Sequence, residues 1–485
     1  MRRDLPAGWG VAKSVAKQLQ PMTSTGPGAD GGPQITERKR RRQSCPCCRR
    51  LIKVIIAMKF AVASYGTRGD IEPCLAIGRE LMRRGHSVRM AVPPNLVDLA
   101  EAAGLSAIAY GPDMHDFWSD EFIRDFFKNF LRGPVTLIRE AWEPVLKNWQ
   151  EMSSALMSVG AGADLLFTGQ LYQDLAINVA DYYGIPMATL HYIPMRPNGQ
   201  LLPRVPGPLV RTGMAVYDWM CWRMNKKAED RQRRELGLPT ATVASPRRIA
   251  ERGSLEIQAY DEVCFPGLAE EWAKWGGQRP FVGSLTMELP TDFDDEVLSW
   301  IGQGTPPICF GFGSMPVAES PADTVEMIGA ACAELGERAL ICSGWSDFSN
   351  VPHPDHVKVV GVVNYTKIFP ACRAVVHHGG SGTTAAGLRA GIPSLILWTA
   401  GDQPLWGSHI KRLKVGTSRR FSATTPETLV ADLRKILAPE YLTRARELSS
   451  RMSKPAESAG RAVDLLEEFA RSGRCIPRAE AQRSR

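Results

Sequence analysis

The sequence predicts an α/β protein with two doubly wound domains, each a parallel sheet flanked by helices. First, short apolar runs alternate with segments of helical spacing from residue 58 onward, a pattern typical of a parallel sheet with helical crossovers. Second, the same pattern begins again after residue 304. Third, each half has a glycine-rich turn between a strand and a helix, at residues 66–70 and 379–382. The length agrees, because 485 residues exceed the usual size of one domain.

The predicted elements follow from these runs. In the first half we expect strands at 59–65, 87–92, 105–110, 164–168, 186–190 and 255–259, and helices at 71–84 and 95–103. In the second half we expect strands at 307–312, 339–342, 357–360, 374–377 and 394–398, a helix at 321–335 and a capped helix start at 424–427. The predicted division is an N-terminal domain at 58–285, a linker at 286–304, a C-terminal domain at 305–455, a helix at 456–471 that packs back on the N-terminal domain, and a loose tail at 472–485.

The charge of the chain is unevenly distributed. Residues 1–57 contain 12 Lys and Arg but 3 Asp and Glu, a net charge of +9, whereas the whole chain carries +8. The remainder therefore carries −1, and the basic excess gives no reason to expect a nucleic acid partner. Many Gly, Pro and Ser and few aromatic residues predict that 1–57 form a disordered or non-native extension. We expect Met58 to be the natural start.

Cysteine usage predicts a reducing, cytoplasmic compartment. The eight cysteines after residue 57 are scattered and lie mostly in apolar runs, as buried free thiols do. The start of the sequence is a poor secretory signal, and the apolar run at 51–57 is too short to span a bilayer. Cysteines at 45–48 have no second ligand pair at finger spacing, so we expect no zinc there.

The first glycine-rich turn has the sequence GTRGDIEP at residues 66–73. It is not the G-x-G-x-x-G pattern, so dinucleotide binding is weakly supported. Asp70 lies at a helix start and at the carboxyl end of a strand, where ligands bind in open parallel sheets. Two interpretations stay open for Asp70: it caps the helix, or its carboxylate acts as a base.

The second turn has the sequence HHGGSGTT at residues 377–384. Backbone N–H groups beside a helix N-terminus favour phosphate, and Thr383 adds a hydroxyl donor. His377 or His378 adds a donor that can carry charge near neutral pH. The alternative is a tight turn around a core histidine. A carboxylate in one domain and a phosphate cradle in the other favour group transfer from a nucleotide diphosphate to a hydroxyl.

An aromatic segment at 117–152 has helical spacing. It is typical of a buried helical pair, and alternatively it forms an apolar wall for the acceptor. On the second interpretation Phe117, Trp118 and Phe122 bind the acceptor, as one side of a mainly apolar site. Residues 196–211, which contain four prolines, are expected to form a long loop over the same region.

Four motifs together make the chain resemble GT-B glycosyltransferases. These are GTRGDIEP at 66–73, FGSM at 312–315, HHGGSGTT at 377–384 and GDQP at 401–404. The family includes sterol glucosyltransferases and the enzymes that glycosylate antibiotic aglycones, and the resemblance is strongest to mycobacterial members that decorate glycopeptidolipids. It covers about residues 58–471, with Ser381 where the family usually has Ala. The implied fold is two Rossmann-like domains facing a central cleft.

The resemblance also implies an inverting transfer and roles for individual residues. Asp70 matches the general base that takes the acceptor proton. The implied diphosphate contacts are Thr67, Arg68, Ser314, His378, Gly380, Gly382 and Thr383. Asp402 and Gln403 match residues that hold the donor sugar, and Val362, Val363 and Asn364 occupy the loop beside the nucleotide base. The implied partners are a nucleotide diphosphate sugar and a hydroxylated hydrophobic acceptor, with no metal required.

Other classes of protein remain open at this point. A nucleotide-sugar epimerase shares the two-domain fold but lacks the turn at 66–70. A non-catalytic binding protein is expected to lose Asp70 or His378. Membrane or RNA binding through the basic extension is a third class, with peripheral membrane association as its milder form. The acidic triplet at 292–294 is expected to be solvated, and His353 and His356 are not expected to bind metal.

Overall fold

The computed structural model describes residues 57–113, 134–202, 204–287, 289–311, 313, 320–344, 351–399 and 401–473, and of 134–145 it describes the backbone alone. The expectations for the N-terminal extension, for the aromatic segment at 114–133 and for the tail at 474–485 lie outside these residues. No helix among the described residues is both long enough and apolar enough to cross a bilayer.

The first sheet has six parallel strands in the order β3-β2-β1-β4-β5-β6. The strands are β1 (Lys59–Ala63), β2 (Ser87–Val92), β3 (Ser106–Ala109), β4 (Leu165–Thr168), β5 (Met187–His191) and β6 (Leu255–Gln258). The helices are α1 (Arg68–Arg83), α2 (Val97–Ala102), α3 (Pro134–Gly160), α4 (Gln173–Tyr183), α5 (Gly207–Glu235), α6 (Ser245–Glu251) and α7 (Leu268–Trp272). The strand order reverses between β1 and β4, which opens a crevice at their carboxyl ends.

The second sheet repeats this topology, in the order β12-β11-β10-β7-β8-β9. The strands are β7 (Ile308–Gly311), β8 (Ala339–Cys342), β9 (Val357–Val360), β10 (Ala374–His377), β11 (Ser394–Trp398) and β12 (Gly416–Arg420). The helices are α8 (Asp294–Gly302), α9 (Pro321–Leu335), α10 (Tyr365–Ile368), α11 (Ser381–Ala390), α12 (Gln403–Leu413), α13 (Pro426–Ile436), α14 (Pro439–Ser449) and α15 (Pro455–Ser472). Here the order reverses between β7 and β10, so the turns after these two strands border the second crevice.

The central strands are recognisable in the sequence because both faces of the sheet are covered there. Every residue of β4, β5, β7, β8 and β10 is buried, which gives the continuous apolar runs of a parallel sheet. The described cysteines are all unpaired thiols, and all but Cys221 are buried.

The last helix, α15, packs on the first domain. Ala462, Val463, Leu466 and Phe469 are buried in the core that contains β1, β2 and α1. At its outer edge, Arg84 forms ion pairs with acidic groups of α15, one of them with Glu467 at 3.2 Å. Helix α15 therefore belongs to the core of the first domain, although it follows the second domain in the sequence.

Two segments differ from the sequence-based expectations. The predicted loop at 196–211 ends earlier, because α5 begins at Gly207 with a proline in its first turn. The predicted linker at 286–304 contains α8, whose Val297 and Ile301 are buried in the core of the second sheet. Asp294, expected to be solvated, is 1% exposed, because its carboxylate accepts hydrogen bonds from Thr291.

Candidate functional site

The turn after β1 holds the Asp70 carboxylate at the N-terminus of α1. Asp70 Oδ2 accepts hydrogen bonds from the backbone N–H of Thr67 at 2.8 Å and from Thr67 Oγ1 at 3.1 Å. Gly66 has φ +134°, and a Cβ atom there would overlap the carboxylate. Glycine is therefore required at this position, both for the backbone conformation and for the space that Asp70 occupies.

The backbone of Asp70 is held from the neighbouring strands. Its carbonyl oxygen accepts hydrogen bonds from Tyr192 Oη at 2.5 Å and from Ser64 Oγ at 3.0 Å. Tyr192 is buried and follows β5 directly. Sequence reasoning missed this residue; the available signal was its position at the carboxyl edge of the sheet, where ligand sites form.

Asp70 is in electrostatic contact with the second domain. The pKa of Asp70 is raised to about 6: burial is the main cause, the negative charge of Asp402 adds to the rise, and the hydrogen bonds from Thr67 oppose it. Burial likewise raises the pKa of Asp402 to about 6. The charges of these two carboxyl groups, one in each domain, therefore interact.

The turn after β10 places His378 between two glycines. A Cβ atom on Gly313 would lie 2.7 Å from His378 Cε1, and one on Gly380 would lie 2.5 Å from Nε2. Both positions therefore need glycine for the ring to fit. His378 is half-buried, and within the described part of the chain its Nδ1 has no hydrogen-bond partner. This nitrogen is itself buried, and the backbone of Gly311 contributes to the pKa of the ring as a hydrogen-bond partner.

His377, by contrast, belongs to the core. It is fully buried, and its Nδ1 accepts a hydrogen bond from the N–H of Gly379 at 3.1 Å. Burial lowers the pKa of His377 to about 3 and that of His378 to about 4. Both rings are therefore neutral at pH 7, which differs from the expectation of a charged donor. His378 donates one N–H in this state.

The N-terminus of α11 is open to a ligand. The helix begins at Ser381 with Gly380 as its N-cap, and no side chain caps it. A Cβ atom on Gly382 would meet no atom within 4 Å, and Thr383 is half-buried. Thr384 is used within the fold, since its hydroxyl donates to the carbonyl of Gly380 at 2.8 Å. The unbonded N–H groups of such a helix start favour an anion.

Arg68 lies where the two domains meet. Its Nε donates to Glu72 at 3.2 Å, and Glu72 accepts a further bond from the N–H of Met287 at 2.9 Å. The charge of Arg68 acts on Tyr365 of α10, whose pKa is raised by burial and lowered by Arg68. Arg68 is thus a cation at the cleft, and it already pairs with Glu72.

Gln403 and Asp402 have different roles at the start of α12. The Gln403 side-chain oxygen accepts hydrogen bonds from the N–H and the hydroxyl of Thr399, at 2.7 and 3.0 Å. The side-chain oxygen of Gln403 therefore stabilises the turn after β11, and the prediction that Gln403 holds the donor sugar stays a prediction. Asp402 is half-buried at the N-cap and is the carboxylate that borders the cleft.

The loop predicted to lie beside the nucleotide base presents one side chain. Val362 is 43% exposed, whereas Val363 is buried in the core. Asn364 caps α10 by accepting a hydrogen bond from the N–H of Thr366 at 3.0 Å. The side chains of Val363 and Asn364 are therefore used by the fold, and direct side-chain contact with a base is left to Val362.

Some predicted residues lie outside the described part of the chain. These are Ser314 and the acceptor residues Phe117, Trp118 and Phe122. Among the described residues, no group of three or more His, Cys, Asp or Glu side chains is arranged to hold a metal ion. What the geometry does bring together is a carboxylate with a raised pKa, an opposing carboxylate, a neutral histidine and an uncapped helix N-terminus.

Comparison with known proteins shows which family the chain belongs to. Residues 60–156 match the N-terminal domain of glycosyltransferase family 28, and residues 339–465 match the C-terminal domain of proteins like erythromycin biosynthesis protein CIII. An uncharacterized glycosyltransferase of Mycobacterium tuberculosis is 62% identical over 420 residues, which are 86% of this chain and 100% of that protein. One of Mycobacterium leprae is 57% identical over 85% of this chain and 97% of its own length. The chain belongs to this family of glycosyltransferases.

More distant proteins share the fold. A sterol 3-beta-glucosyltransferase of Arabidopsis thaliana is 27% identical over 81% of this chain and 65% of its own length. Among solved structures, the calicheamicin glycosyltransferase CalG4 superposes with a TM-score of 0.60 at 16% identity, over 85% of this chain and 98% of its own. The glycosyltransferase VinC, solved with dTDP, has a TM-score of 0.57 at 16% identity, over 86% and 100%. The expectation of a GT-B fold is confirmed.

Proposed function

We propose that this glycosyltransferase moves a hexose or deoxyhexose from a dTDP- or UDP-sugar to a hydroxyl of a lipid, peptidolipid or polycyclic aglycone, with inversion at the anomeric carbon. The observation that carries the proposal is the position of Asp70. Its carboxylate lies at the cleft, is held by Thr67 and has a pKa raised towards neutrality. A carboxylate of this kind accepts a proton efficiently near the operating pH.

The proposed step is a single displacement. The acceptor hydroxyl gives its proton to Asp70, and its oxygen bonds to the anomeric carbon of the donor sugar. The bond from that carbon to the diphosphate oxygen breaks, and the nucleoside diphosphate leaves with the electron pair. The N–H groups at the start of α11 and the N–H of His378 receive the developing negative charge. Asp402 accepts hydrogen bonds from hydroxyls of the donor sugar.

The proposed substrates are supported by the names of related proteins and by the hydrogen-bond donors of the candidate site. VinC was solved with dTDP, and the names of related proteins include a sterol glucosyltransferase and a calicheamicin glycosyltransferase. These names favour a nucleotide sugar donor and an apolar acceptor for this chain too. Since neutral N–H donors and a helix N-terminus suit the leaving diphosphate, we propose a metal-independent reaction. We also propose that it takes place in the cytoplasm.

The test is a transfer assay with the purified full chain. A panel of dTDP- and UDP-sugars is combined with hydroxylated lipids, polycyclic aglycones and water-soluble sugars, and products are identified by mass spectrometry and by the anomeric proton couplings. We expect glycosylated apolar acceptors with inverted configuration, unaffected by EDTA. Retained configuration would contradict the displacement, and EDTA inhibition reversed by a divalent ion would contradict metal independence. Conversion of the donor to an isomeric nucleotide sugar without transfer would indicate an epimerase.

A further inference from the structure

Helix α5 exposes an unusual concentration of large apolar side chains. Trp219 is 55% exposed, Val216 50% and Met220 41%. Among the described residues, thirteen large apolar side chains are exposed, and seven of them lie between positions 202 and 220. Single exposed apolar residues are normal, whereas a contiguous patch marks an interaction surface.

These side chains form one face of the helix. Leu209, Val216 and Met220 are separated by seven and four residues, so they lie on one line along α5. Tyr217 and Trp219 lie on either side of that line. We call these five residues the apolar stripe.

The opposite face of α5 fixes the orientation of the helix. Asn225 Nδ2 donates to Asp174 of α4 at 2.6 Å, and Glu229 accepts a hydrogen bond from Arg248 of α6. Both of these α5 partners, Asn225 and Glu229, are buried. Because buried polar groups need their partners, the helix cannot turn its apolar stripe inward without breaking these bonds.

Basic residues accompany the apolar stripe. Residues 202–227 contain five Lys and Arg and one acid, Asp218. Two of the five cations form ion pairs outside this range, Arg211 with Glu271 and Lys226 with Asp230. Asp218 is half-buried and faces Arg196 and Arg279, which are both buried. The exposed Arg223 and Lys227 lie seven residues beyond Val216 and Met220, so they continue the line of the stripe. At the other end, Arg204 lies near Lys411 of α12.

We propose that the apolar stripe docks on the surface of a bilayer that contains anionic lipids. In this arrangement α5 lies parallel to the membrane, Trp219 and Met220 enter the boundary of the acyl chains, and the basic groups at both ends contact lipid phosphates. The charge favours a membrane over a second copy of this chain, because like charges would meet in a symmetric contact. The proposal does not rest on the proposed reaction.

The first test measures flotation of the full chain with vesicles of phosphatidylcholine and phosphatidylglycerol in a 7:3 ratio. The variant V216S/W219S/M220S is compared with the wild-type chain and with Met82→Ser, a control that alters another exposed apolar residue, 44% exposed, on α1. We expect binding at least tenfold weaker in the triple variant and unchanged in the control. All three proteins carry the same basic extension, so its attraction to anionic lipid cancels in the comparison.

The second test asks whether Trp219 enters the bilayer. Vesicles with brominated acyl chains should quench tryptophan fluorescence of the wild-type chain, and Trp219→Phe should remove most of that quenching. A melting temperature matching the wild type would show that the variants fold. Equal flotation of the triple variant and the wild type, or no flotation of the wild type, would overturn the proposal. The proposal would also be overturned if the wild-type chain and the control formed a concentration-dependent dimer and the triple variant did not, because the stripe would then bind a second copy of the chain.

Discussion

Asp70 and Asp402 are two carboxyl groups whose charges interact across the cleft. The pKa of Asp70 is raised to about 6 by burial first and by Asp402 next. A base must be deprotonated to accept a proton, so activity should fall as the pH drops through about 6. An ordinary aspartate would give a fall near pH 4. We predict an acid limb of kcat/KM centred near pH 6.

The variant Asp402→Asn tests the origin of this limb. It removes the negative charge that raises the pKa of Asp70, so the limb should move to lower pH even where kcat falls through loss of donor contacts. The exposed Asp295→Asn, on α8, is the control and should leave the limb in place. An acid limb near pH 4 in the wild type would contradict the assignment of Asp70 as a base with a raised pKa. A limb that Asp402→Asn does not move would contradict the contribution of Asp402 to that pKa.

Tyr192 positions the base through its backbone. Tyr192→Phe removes the hydroxyl that donates to the carbonyl of Asp70. One hydrogen bond contributes about 0.5–1.5 kcal/mol, so we expect kcat to fall by about 3–10-fold. The donor KM should change much less than kcat, because most of the expected diphosphate contacts lie in the second domain. Tyr182→Phe, at an exposed tyrosine, is the control, and equal kcat values in the two variants would argue against this role.

A substitution at the N-terminus of α11 should change nucleotide affinity without lowering thermal stability. Gly382→Ala adds a methyl group where no protein atom lies within 4 Å, and alanine favours a helix over glycine by about 1 kcal/mol. We expect the melting temperature to stay or rise, while calorimetric affinity for UDP and dTDP falls at least tenfold, because the methyl group occupies the phosphate position. Gly302→Ala, on α8, also meets open space and should leave affinity unchanged. Wild-type affinity in Gly382→Ala would place the diphosphate elsewhere.

The elements differ in how far the sequence predicted them. Strands β8–β11 were predicted at the observed residues. β8 and β10 are fully buried runs of mostly apolar residues, whereas β9 includes Lys358 and is half-buried at its centre. Helix α5 was missed because its pattern is inverted. It buries Asn225, Glu229 and Arg233 and exposes Trp219, and helix recognition from sequence relies on the opposite distribution.

The candidate site, like the helices, was only partly predictable from the sequence. Motif position placed Asp70 and His378 each at the carboxyl end of a strand, where ligands bind in open parallel sheets, and the resemblance to GT-B enzymes implied that the two turns face one cleft. The spacing of motifs does not show which side chains form hydrogen bonds within the fold. Asn364 and Gln403 were predicted to contact the donor, but their side-chain oxygens accept hydrogen bonds from the backbone of Thr366 and Thr399. Such bonds depend on tertiary geometry.

At the level of the whole molecule, α15 connects the end of the chain to the first domain. Leu466 is fully buried in the core that contains α1. Leu466→Ala should lower the free energy of unfolding of that domain by about 2–5 kcal/mol, the usual cost of such a cavity. Urea unfolding followed by fluorescence measures this. The exposed Glu468→Ala is the control. If Leu466→Ala and Glu468→Ala unfolded at the same urea concentration, α15 would not support the core.

The account depends on the two domains acting together, with the base in one and the diphosphate site in the other. The most direct test is Asp70→Asn in the transfer assay, with affinity for the nucleoside diphosphate measured by calorimetry on the same preparation. Asparagine keeps an oxygen for the Thr67 hydrogen bonds but loses the proton acceptor. We predict turnover reduced by about 10²–10⁴-fold with unchanged nucleotide affinity. Turnover like that of the wild type would contradict the account.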